Sequence, residues 1–330
     1  MNATPRHAPL IDAHGRPILS LRVSLLDACN LRCTYCMPEG GLPPAPYRLS
    51  ADDLCFAVST ATKVGITRVR LTGGEPLLHP EVVPIVASLA HLGLDDLSLT
   101  TNGLRLAALA RPLARAGLRR VNVSLDSLDE DRFRQITRRG GAAKVWQGIE
   151  AALDAGLRPV RVNTLLIAGF NEDELPRWVA LTQQRPVTVR FLEVMPIGTV
   201  QPGAPHLPRA DVAAARDRLI TRYGLLPAEA EVGNGPARYW RVPGAPGMLG
   251  FITPLSEPYC NRCTRFRLTA TGAVRPCLAQ DHEVPLRDAI LQRDEAGFLQ
   301  GLREAAAAKI QGHRWREGAH TTTIMTTLGG

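Results

Sequence analysis

The chain has little lysine, few aromatic residues and no long apolar run. Only three of its 39 basic residues are lysine, at Lys63, Lys144 and Lys309. Aromatic residues make up 5% of the sequence, which leaves few rings to stack on bases and disfavours a nucleic-acid-binding protein. No run of about 18 apolar residues occurs, so no membrane span is predicted. The N-terminus also lacks the apolar segment of a secretory signal, and we expect a cytoplasmic protein.

The remaining composition indicates a globular chain with an anionic partner. Its 330 residues are 45% apolar, enough for a sizeable core. At about 150 residues per domain, the length suggests two domains, or one large α/β barrel with an appendage. The formal net charge is +8, which suits a nucleic acid, a membrane surface or a phosphorylated small molecule. Arginine supplies almost all of that charge, and part of this bias can reflect genomic base composition.

Seven cysteines divide into two groups of three and a single residue. Cys29, Cys33 and Cys36 form the first group, and the second comprises Cys260, Cys263 and Cys277. In a cytoplasmic chain such clusters indicate metal or catalytic sites and not disulfides. Cys55 lies between apolar neighbours in a predicted helix, so we expect it to be a small packing residue.

The hydrophobic pattern predicts strands that alternate with helices. The six predicted strands are 21–26, 66–71, 97–100, 120–125, 160–167 and 187–194. Alternating βα units form parallel sheets, and six units predict an incomplete (βα)6 TIM-like barrel that is open on one side. We expect an N-terminal extension at 1–17, the barrel at 18–223 and a C-terminal domain at 224–330 that carries the second cysteine group.

The first cysteine group has the spacing C-x3-C-x2-C and follows the first predicted strand. In a barrel this position is at the carboxyl ends of the strands, where active sites form. Three thiolates are one short of a closed zinc site and of an ordinary [4Fe–4S] site. The spacing favours a cluster with one iron open to another ligand. A zinc site completed by a distant histidine and unrelated thiols are the alternatives.

The segment CNLRCTYC resembles the signature of the radical S-adenosylmethionine superfamily. The resemblance implies a [4Fe–4S] cluster whose open iron binds S-adenosylmethionine, with Tyr35 against the adenine. The segment LTGGEPLL is similar to the family loop that binds the amino group of the cofactor, here through Gly73, Gly74 and Glu75. Ser124 and Met195 match further cofactor positions. The cofactor carries the radical chemistry, and the protein orients it.

The second cysteine group reads C-x2-C-x13-C. A structural zinc with His282 as fourth ligand is one interpretation, because Cys3His sites are common. However, Arg265 and Arg267 alternate, so in a strand they share a face, and arginine is suited to bidentate phosphate contacts. Three thiolates beside such a face favour a second [4Fe–4S] cluster whose open iron meets an anionic substrate.

Both cysteine groups and the terminal Gly-Gly resemble the GTP 3′,8-cyclase family of molybdenum cofactor biosynthesis, from about residue 18 to residue 330. The resemblance implies cyclisation of GTP to (8S)-3′,8-cyclo-7,8-dihydroguanosine 5′-triphosphate. Gly329 and Gly330 match a tail that supports activity. Arg161 replaces the usual lysine, and its planar guanidinium is not equivalent to an ammonium group. The implied GTP contacts are Arg22, Arg70, Thr101, Arg161, Arg265, Phe266 and Arg267.

The resemblance also implies partners and leaves alternatives. The product would pass to cyclic pyranopterin monophosphate synthase, the reductant protein is unknown, and a homodimer is one option. Another radical enzyme with an auxiliary cluster, of the peptide-maturing type, is the nearest alternative. An electron carrier and a zinc-stabilised nucleic-acid-binding protein are more distant ones. Reconstitution with about eight iron atoms per chain would favour the two-cluster enzyme.

Overall fold

Strands and helices alternate through most of the computed structural model, which describes residues 8–43, 45, 47–198, 207–229, 232 and 235–328. The strands are β1 Leu10–Ile11, β2 Pro17–Ile18, β3 Ser20–Ser24, β4 Arg68–Thr72, β5 Asp96–Thr101, β6 Arg120–Ser124, β7 Val160–Leu165, β8 Val187–Leu192, β9 Leu226–Ala228, β10 Arg238–Arg241, β11 Met248–Ile252, β12 Arg265–Leu268, β13 Ala273–Arg275 and β14 Val284–Pro285. The α-helices are α1 Ala51–Thr62, α2 Val82–Ala90, α3 Leu106–Arg115, α4 Glu130–Thr137, α5 Ala142–Asp154, α6 Leu175–Gln184, α7 Val212–Tyr223, α8 Arg287–Leu291 and α9 Glu295–Ala307.

The six predicted strands of the partial barrel are confirmed as β3 to β8. They pair in parallel and in sequence order. Apolar residues on one face of each strand pack under the helices, as Val69 and Leu71 do in β4. Residues of the opposite parity face the barrel interior, because successive side chains of a strand point to opposite faces. In β4 these are Arg68 and Arg70.

The C-terminal region extends the barrel sheet at both edges. Strand β12 pairs in parallel with β3, and β11 pairs in parallel with β8. An open six-stranded sheet leaves unpaired backbone groups at its edges, and these two strands satisfy them. Across the described residues the full order is β14-β13-β12-β3-β4-β5-β6-β7-β8-β11-β10-β9. Segments from both expected domains therefore share one sheet, and the expected boundary at 223 is not a break in that sheet.

Local sequence signals account for several helix ends. Ser50 is the N-cap of α1 and forms a capping box with Asp53. The Asp53 N–H donates to Ser50 Oγ at 3.2 Å, and the Ser50 N–H donates to Asp53 Oδ2 at 2.9 Å. Cys55 is half-buried against the core. In the described part of the chain, no helix has both the length and the apolar character that a membrane crossing needs.

Candidate functional site

A cavity of about 630 Å³ occupies the inside of the open barrel. Its walls come from strands β3 to β8, from the loop after β3 that carries the first cysteine group, and from the segment that carries Cys263. Residues near the C-terminal end of the chain, Met325 and Thr326, also line it. The cavity therefore brings both cysteine-bearing regions to one space.

The first cysteine group forms one end of this cavity. Cys29, Cys33 and Cys36 are free thiols that line it, and the Cys36 N–H donates to the Cys33 carbonyl at 2.9 Å. Burial raises the pKa of all three thiols, and the neighbouring thiols raise those of Cys33 and Cys36 further, the latter to about 12. Three thiolates at this spacing need added positive charge, which an iron–sulfur cluster supplies, so the residues fit the expected cluster.

The donor geometry differs from that of a single-ion site. Within the described residues, no three histidine, cysteine or carboxylate side chains converge where one metal ion could sit. A cubane cluster does not require that convergence, because each cysteine binds a different iron. His282, considered as a zinc ligand, is exposed.

The Gly-Gly loop after β4 packs directly on the cysteine loop. The Gly74 N–H donates to the Leu26 carbonyl at 2.7 Å, and the Glu75 N–H donates to the Ala28 carbonyl at 2.8 Å. A Cβ on Gly74 would lie 2.3 Å from the Ala28 carbonyl oxygen, and Gly73 has φ +140°. Both glycines are therefore required for the close approach of the two loops as well as for access by a ligand.

Glu75 is buried and its carboxylate accepts three hydrogen bonds. Its carboxylate accepts from the hydroxyl of Thr101 at 2.7 Å, from the Asn102 N–H at 2.6 Å and from the Leu77 N–H at 3.0 Å. Burial outweighs these bonds and raises the pKa of Glu75 to about 7. Thr101, expected as a GTP contact, lines the cavity, but its hydroxyl proton is committed to Glu75.

The other expected cofactor residues lie on the same cavity wall. Tyr35 donates its hydroxyl to Asp126 Oδ2 at 2.7 Å, and its ring packs beside Ile136 and Ile167. Ser124 at the end of β6 and Met195 after β8 line the cavity as well. Burial raises the pKa of Asp126, whose carboxylate also accepts from the Leu165 N–H at 2.8 Å. Sequence reasoning missed Asp126, although it lies two residues after Ser124.

Arginines cover the interior of the barrel. In the strand register Arg267 lies beside Arg22, and Arg22 lies beside Arg70. Burial and the neighbouring guanidinium groups lower the pKa values of Arg22 and Arg70 well below the ordinary value, and those of Arg161 and Arg267 to about 10. Repulsion within this group is relieved by a bound polyanion. The arginines that line the cavity are Arg22, Arg68, Arg70, Arg120, Arg138, Arg161, Arg190, Arg262, Arg265 and Arg267.

Some of these arginines were not selected from the sequence. Arg190 of β8 is buried and donates to Asn163 Oδ1 at 2.9 Å and to Asn122 Oδ1 at 2.7 Å. Arg120 of β6 forms a buried ion pair with Asp96 of β5. The available signal was a charged residue in an otherwise apolar strand. Arg161 was expected to contact GTP, and its Nη2 also donates to the Val232 carbonyl at 2.6 Å.

Phe266 is the one expected substrate residue that lies away from the cavity. It sits between Arg265 and Arg267 in β12 and therefore faces the opposite side of the sheet. Its side chain is completely buried in the hydrophobic core. The expectation that its ring contacts GTP is corrected accordingly, whereas Arg265 and Arg267 line the cavity.

The second cysteine group lies beside β12. Cys260, Cys263 and Cys277 are free thiols, and the Cys263 N–H donates to the Cys260 carbonyl at 3.1 Å. Burial acts to raise the pKa of Cys263, but the positive charges of Arg265 and Lys309 outweigh it and lower that pKa to about 6. Cys263 is therefore a ready thiolate at neutral pH, the form that binds metals.

Asp281 holds the C-terminal segment through hydrogen bonds to Thr322 and Thr323. Its carboxylate accepts hydrogen bonds from the backbone N–H and hydroxyl groups of Thr322 and Thr323, at 2.6–3.3 Å. These bonds lower the pKa of Asp281 despite the opposing effect of its burial. Gly329 and Gly330, expected to support activity, lie outside the described residues.

Two family models match successive parts of the chain. The Radical SAM superfamily model matches residues 23–181, and the Molybdenum Cofactor Synthesis C model matches residues 187–315. The partial barrel, the three-cysteine loop and the first match together define a radical SAM enzyme. The cofactors of this class are S-adenosylmethionine and a [4Fe–4S] cluster.

Curated relatives cover nearly the whole chain. A GTP 3′,8-cyclase of Pelotomaculum thermopropionicum is 44% identical over 97% of this chain and 99% of its own length. The GTP 3′,8-cyclase of Moorella thermoacetica is 43% identical over 97% of this chain and 99% of its own length. That of Paracoccus denitrificans is 43% identical over 99% of this chain and 98% of its own length. The chain belongs to the GTP 3′,8-cyclase family.

Solved structures support the fold at low sequence identity. Streptococcus suis SuiB bound to precursor peptide SuiA matches with a TM-score of 0.59 and 12% identity, over 96% of this chain and 77% of that chain. Another crystal structure of Streptococcus suis SuiB matches with a TM-score of 0.58 and 14% identity, over 83% of this chain and 65% of that chain. At these identities the likeness concerns the fold alone.

Proposed function

We propose that this chain converts GTP into (8S)-3′,8-cyclo-7,8-dihydroguanosine 5′-triphosphate, the first step of molybdenum cofactor biosynthesis. The observation that carries the proposal is the cavity lined by the first cysteine group and by Cys263, with arginines from successive strands on its inner wall. A triphosphate nucleotide suits such a surface, because arginine binds phosphate oxygens in bidentate pairs. The names of the relatives agree with this assignment.

We assign the cofactor to the end of the cavity that holds the first cysteine group. Cys29, Cys33 and Cys36 would hold the [4Fe–4S] cluster. Bound there, the cluster supplies the electron that cleaves S-adenosylmethionine and so provides the group that removes a hydrogen atom from ribose C3′. The residues assigned to S-adenosylmethionine are Tyr35 at the adenine, Gly73, Gly74 and Glu75 at the amino group, and Ser124 and Met195 along the remaining wall.

The role of the chain is then to present one ribose hydrogen and no other. Selection among neighbouring hydrogens requires the reacting atoms within about 3–3.5 Å, so the substrate must be held at several points. Arg22, Arg70 and Arg267 come from three adjacent strands and can hold one triphosphate from different directions. Arg265 of β12 and Arg161 of β7 line the same cavity.

The second cysteine group is assigned to a second [4Fe–4S] cluster that orients the guanine. Cys263 lines the same cavity as the arginines, and the thiolate character of Cys263 supports metal binding. Cys260 and Cys277 would complete the set. We further propose that the residues around Gly329 and Gly330 support turnover and that cyclic pyranopterin monophosphate synthase consumes the product.

An arginine variant tests the substrate assignment. Arg267→Ala removes a buried guanidinium group from the cavity wall and leaves the first cysteine group intact. Loss of one charge-assisted contact costs about 2 kcal/mol, so GTP affinity should fall about 30-fold while S-adenosylmethionine cleavage persists. Arg119→Ala is the control, because Arg119 is exposed and lies outside the cavity. Unchanged GTP affinity in Arg267→Ala would exclude the assignment.

A further inference from the structure

The second cysteine group is surrounded by buried positive charge that its binding role does not account for. Lys309 follows α9 and is 3% exposed. Its ammonium group donates to the Arg265 carbonyl at 2.9 Å and to the Pro276 carbonyl. Arg265 lies two residues after Cys263, and Pro276 immediately precedes Cys277. One buried side chain thus joins the backbone segments of two cysteines.

A second buried cation holds the remaining cysteine. Arg16 is 5% exposed and donates to the Cys260 carbonyl at 2.7 Å. The same guanidinium group donates to the carbonyls of Gln311 and Ile310, each at 2.7 Å. Its Nε donates to Asp12 Oδ2 at 2.7 Å, which fixes the orientation of the planar group.

The two cations act on one short segment. Lys309 precedes the two residues whose carbonyls Arg16 holds, and a Cβ at Gly312 would lie 3.9 Å from the Cys260 sulfur. Residues 309–312 therefore pack beside the backbone segments that carry all three cysteines. Burying an ammonium and a guanidinium group is costly unless charge and hydrogen bonds compensate. Among the described residues, Arg16 has the carboxylate of Asp12, whereas the hydrogen bonds of Lys309 go to backbone carbonyls.

We propose that Arg16 and Lys309 are positioning residues that hold the backbone of Cys260, Cys263 and Cys277 in the arrangement that binds the second cluster, and that Lys309 stabilises its reduced form. This proposal depends on the second cluster of the proposed function. A cluster gains negative charge on reduction, so a fixed cation beside it favours the reduced state and raises its potential. The N-terminal segment around Arg16 would then help to position Cys260, a function that its sequence did not indicate.

The test measures iron content and potential, not only turnover. Anaerobically reconstituted wild-type protein should hold about eight iron atoms per chain. Lys309→Met and Arg16→Gln should each fall to about four, with the first cluster and S-adenosylmethionine binding retained. Lys63→Met is the matched control for lysine, because Lys63 is exposed and pairs with Glu295. Arg119→Gln is the control for arginine, since the exposed Arg119 also donates to a backbone carbonyl.

Milder variants keep the proposal testable if these substitutions prevent folding. Arg16→Lys retains the charge and should recover part of the missing iron. Lys309→Gln retains a hydrogen-bond donor without the charge, so the second cluster should assemble with a more negative midpoint potential than in wild type.

The outcomes separate the two proposals. Eight iron atoms in both the wild type and the variants, with an unchanged potential in Lys309→Gln, would overturn the positioning role alone. Four iron atoms in the wild type would overturn the second cluster and, with it, this role.

Discussion

At Gly74 the Gly-Gly loop after β4 packs closely on the cysteine loop, and this contact provides a test of the cluster site. An alanine there would place its Cβ 2.3 Å from the Ala28 carbonyl oxygen and 2.4 Å from that of Asp27. Real Cβ atoms keep at least 3.0 Å from such atoms, so the backbone next to Cys29 would have to retreat by about 0.7 Å. Overpacking of this kind costs about 1–3 kcal/mol.

This cost is smaller than the stability of an ordinary domain, about 5–15 kcal/mol, so the Gly74→Ala chain should still fold. The strain falls on the segment that positions Cys29, and we expect the first cluster to be lost. Iron content after anaerobic reconstitution should drop from about eight to about four atoms per chain, and S-adenosylmethionine cleavage should be abolished. The melting temperature of the metal-free protein should fall by about 2–5 °C.

Gly40→Ala is the matched control for this change. Gly40 lies in the cysteine loop against which Gly74 packs, its φ is not in the left-handed region, and a Cβ there would meet no atom within 4 Å. Its iron content and melting temperature should equal those of the wild type. Full iron content and S-adenosylmethionine cleavage in Gly74→Ala would show that binding of the first cluster does not require a glycine at position 74.

Three further predictions concern the substrate pocket, the C-terminal segment and Glu75. Inorganic triphosphate at about 100 times its dissociation constant should stabilise the metal-free protein by about 2.7 kcal/mol, and Arg70→Ala should reduce that gain in thermal unfolding; an equal gain would contradict a triphosphate site. Asp281→Ala removes the hydrogen bonds that hold Thr322 and Thr323, so kcat should fall about tenfold. Iron content and GTP affinity should stay constant, and the control variant Asp288→Ala should leave kcat unchanged. Because the pKa of Glu75 is raised to about 7 from 4.5, the folded protein holds a proton that the unfolded chain has lost. The free energy of unfolding in urea should therefore decline as pH rises from 4.5 to 7. Glu75→Gln should flatten this pH dependence; an unchanged pH dependence in the variant would show that a group other than Glu75 causes it.

The barrel was predictable because its signals are local. Each strand from β3 to β8 is short and carries apolar residues on one face, and helices α1 and α4 begin at side-chain N-caps. The pairing of β12 with β3 was not predictable, because it joins residues about 245 positions apart without any repeating pattern. The same pairing explains why the expected C-terminal domain shares the barrel sheet.

The site was predicted only in part, because some of its residues lie in local motifs and others are recognised only by their contacts in the fold. Cysteine spacing led to the two cysteine-bearing segments, and the family resemblance implied Arg22 and Arg70. The same alternation, applied within β12, places Phe266 on the far side of the sheet. Arg190 was missed although its sequence offered a signal, a charged residue in an otherwise apolar strand. Lys309 was missed because a single charged residue after a helix has no distinguishing pattern. Their roles follow only from the partners that the fold brings to them.

The central claim is that this chain removes the C3′ hydrogen of GTP and cyclises the nucleotide. The most direct measurement is anaerobic incubation of the reconstituted protein with S-adenosylmethionine, a reductant and GTP deuterated at ribose C3′. The account predicts 5′-deoxyadenosine that carries one deuterium, in step with a cyclised nucleotide. Unlabelled 5′-deoxyadenosine with GTP recovered unchanged would contradict it.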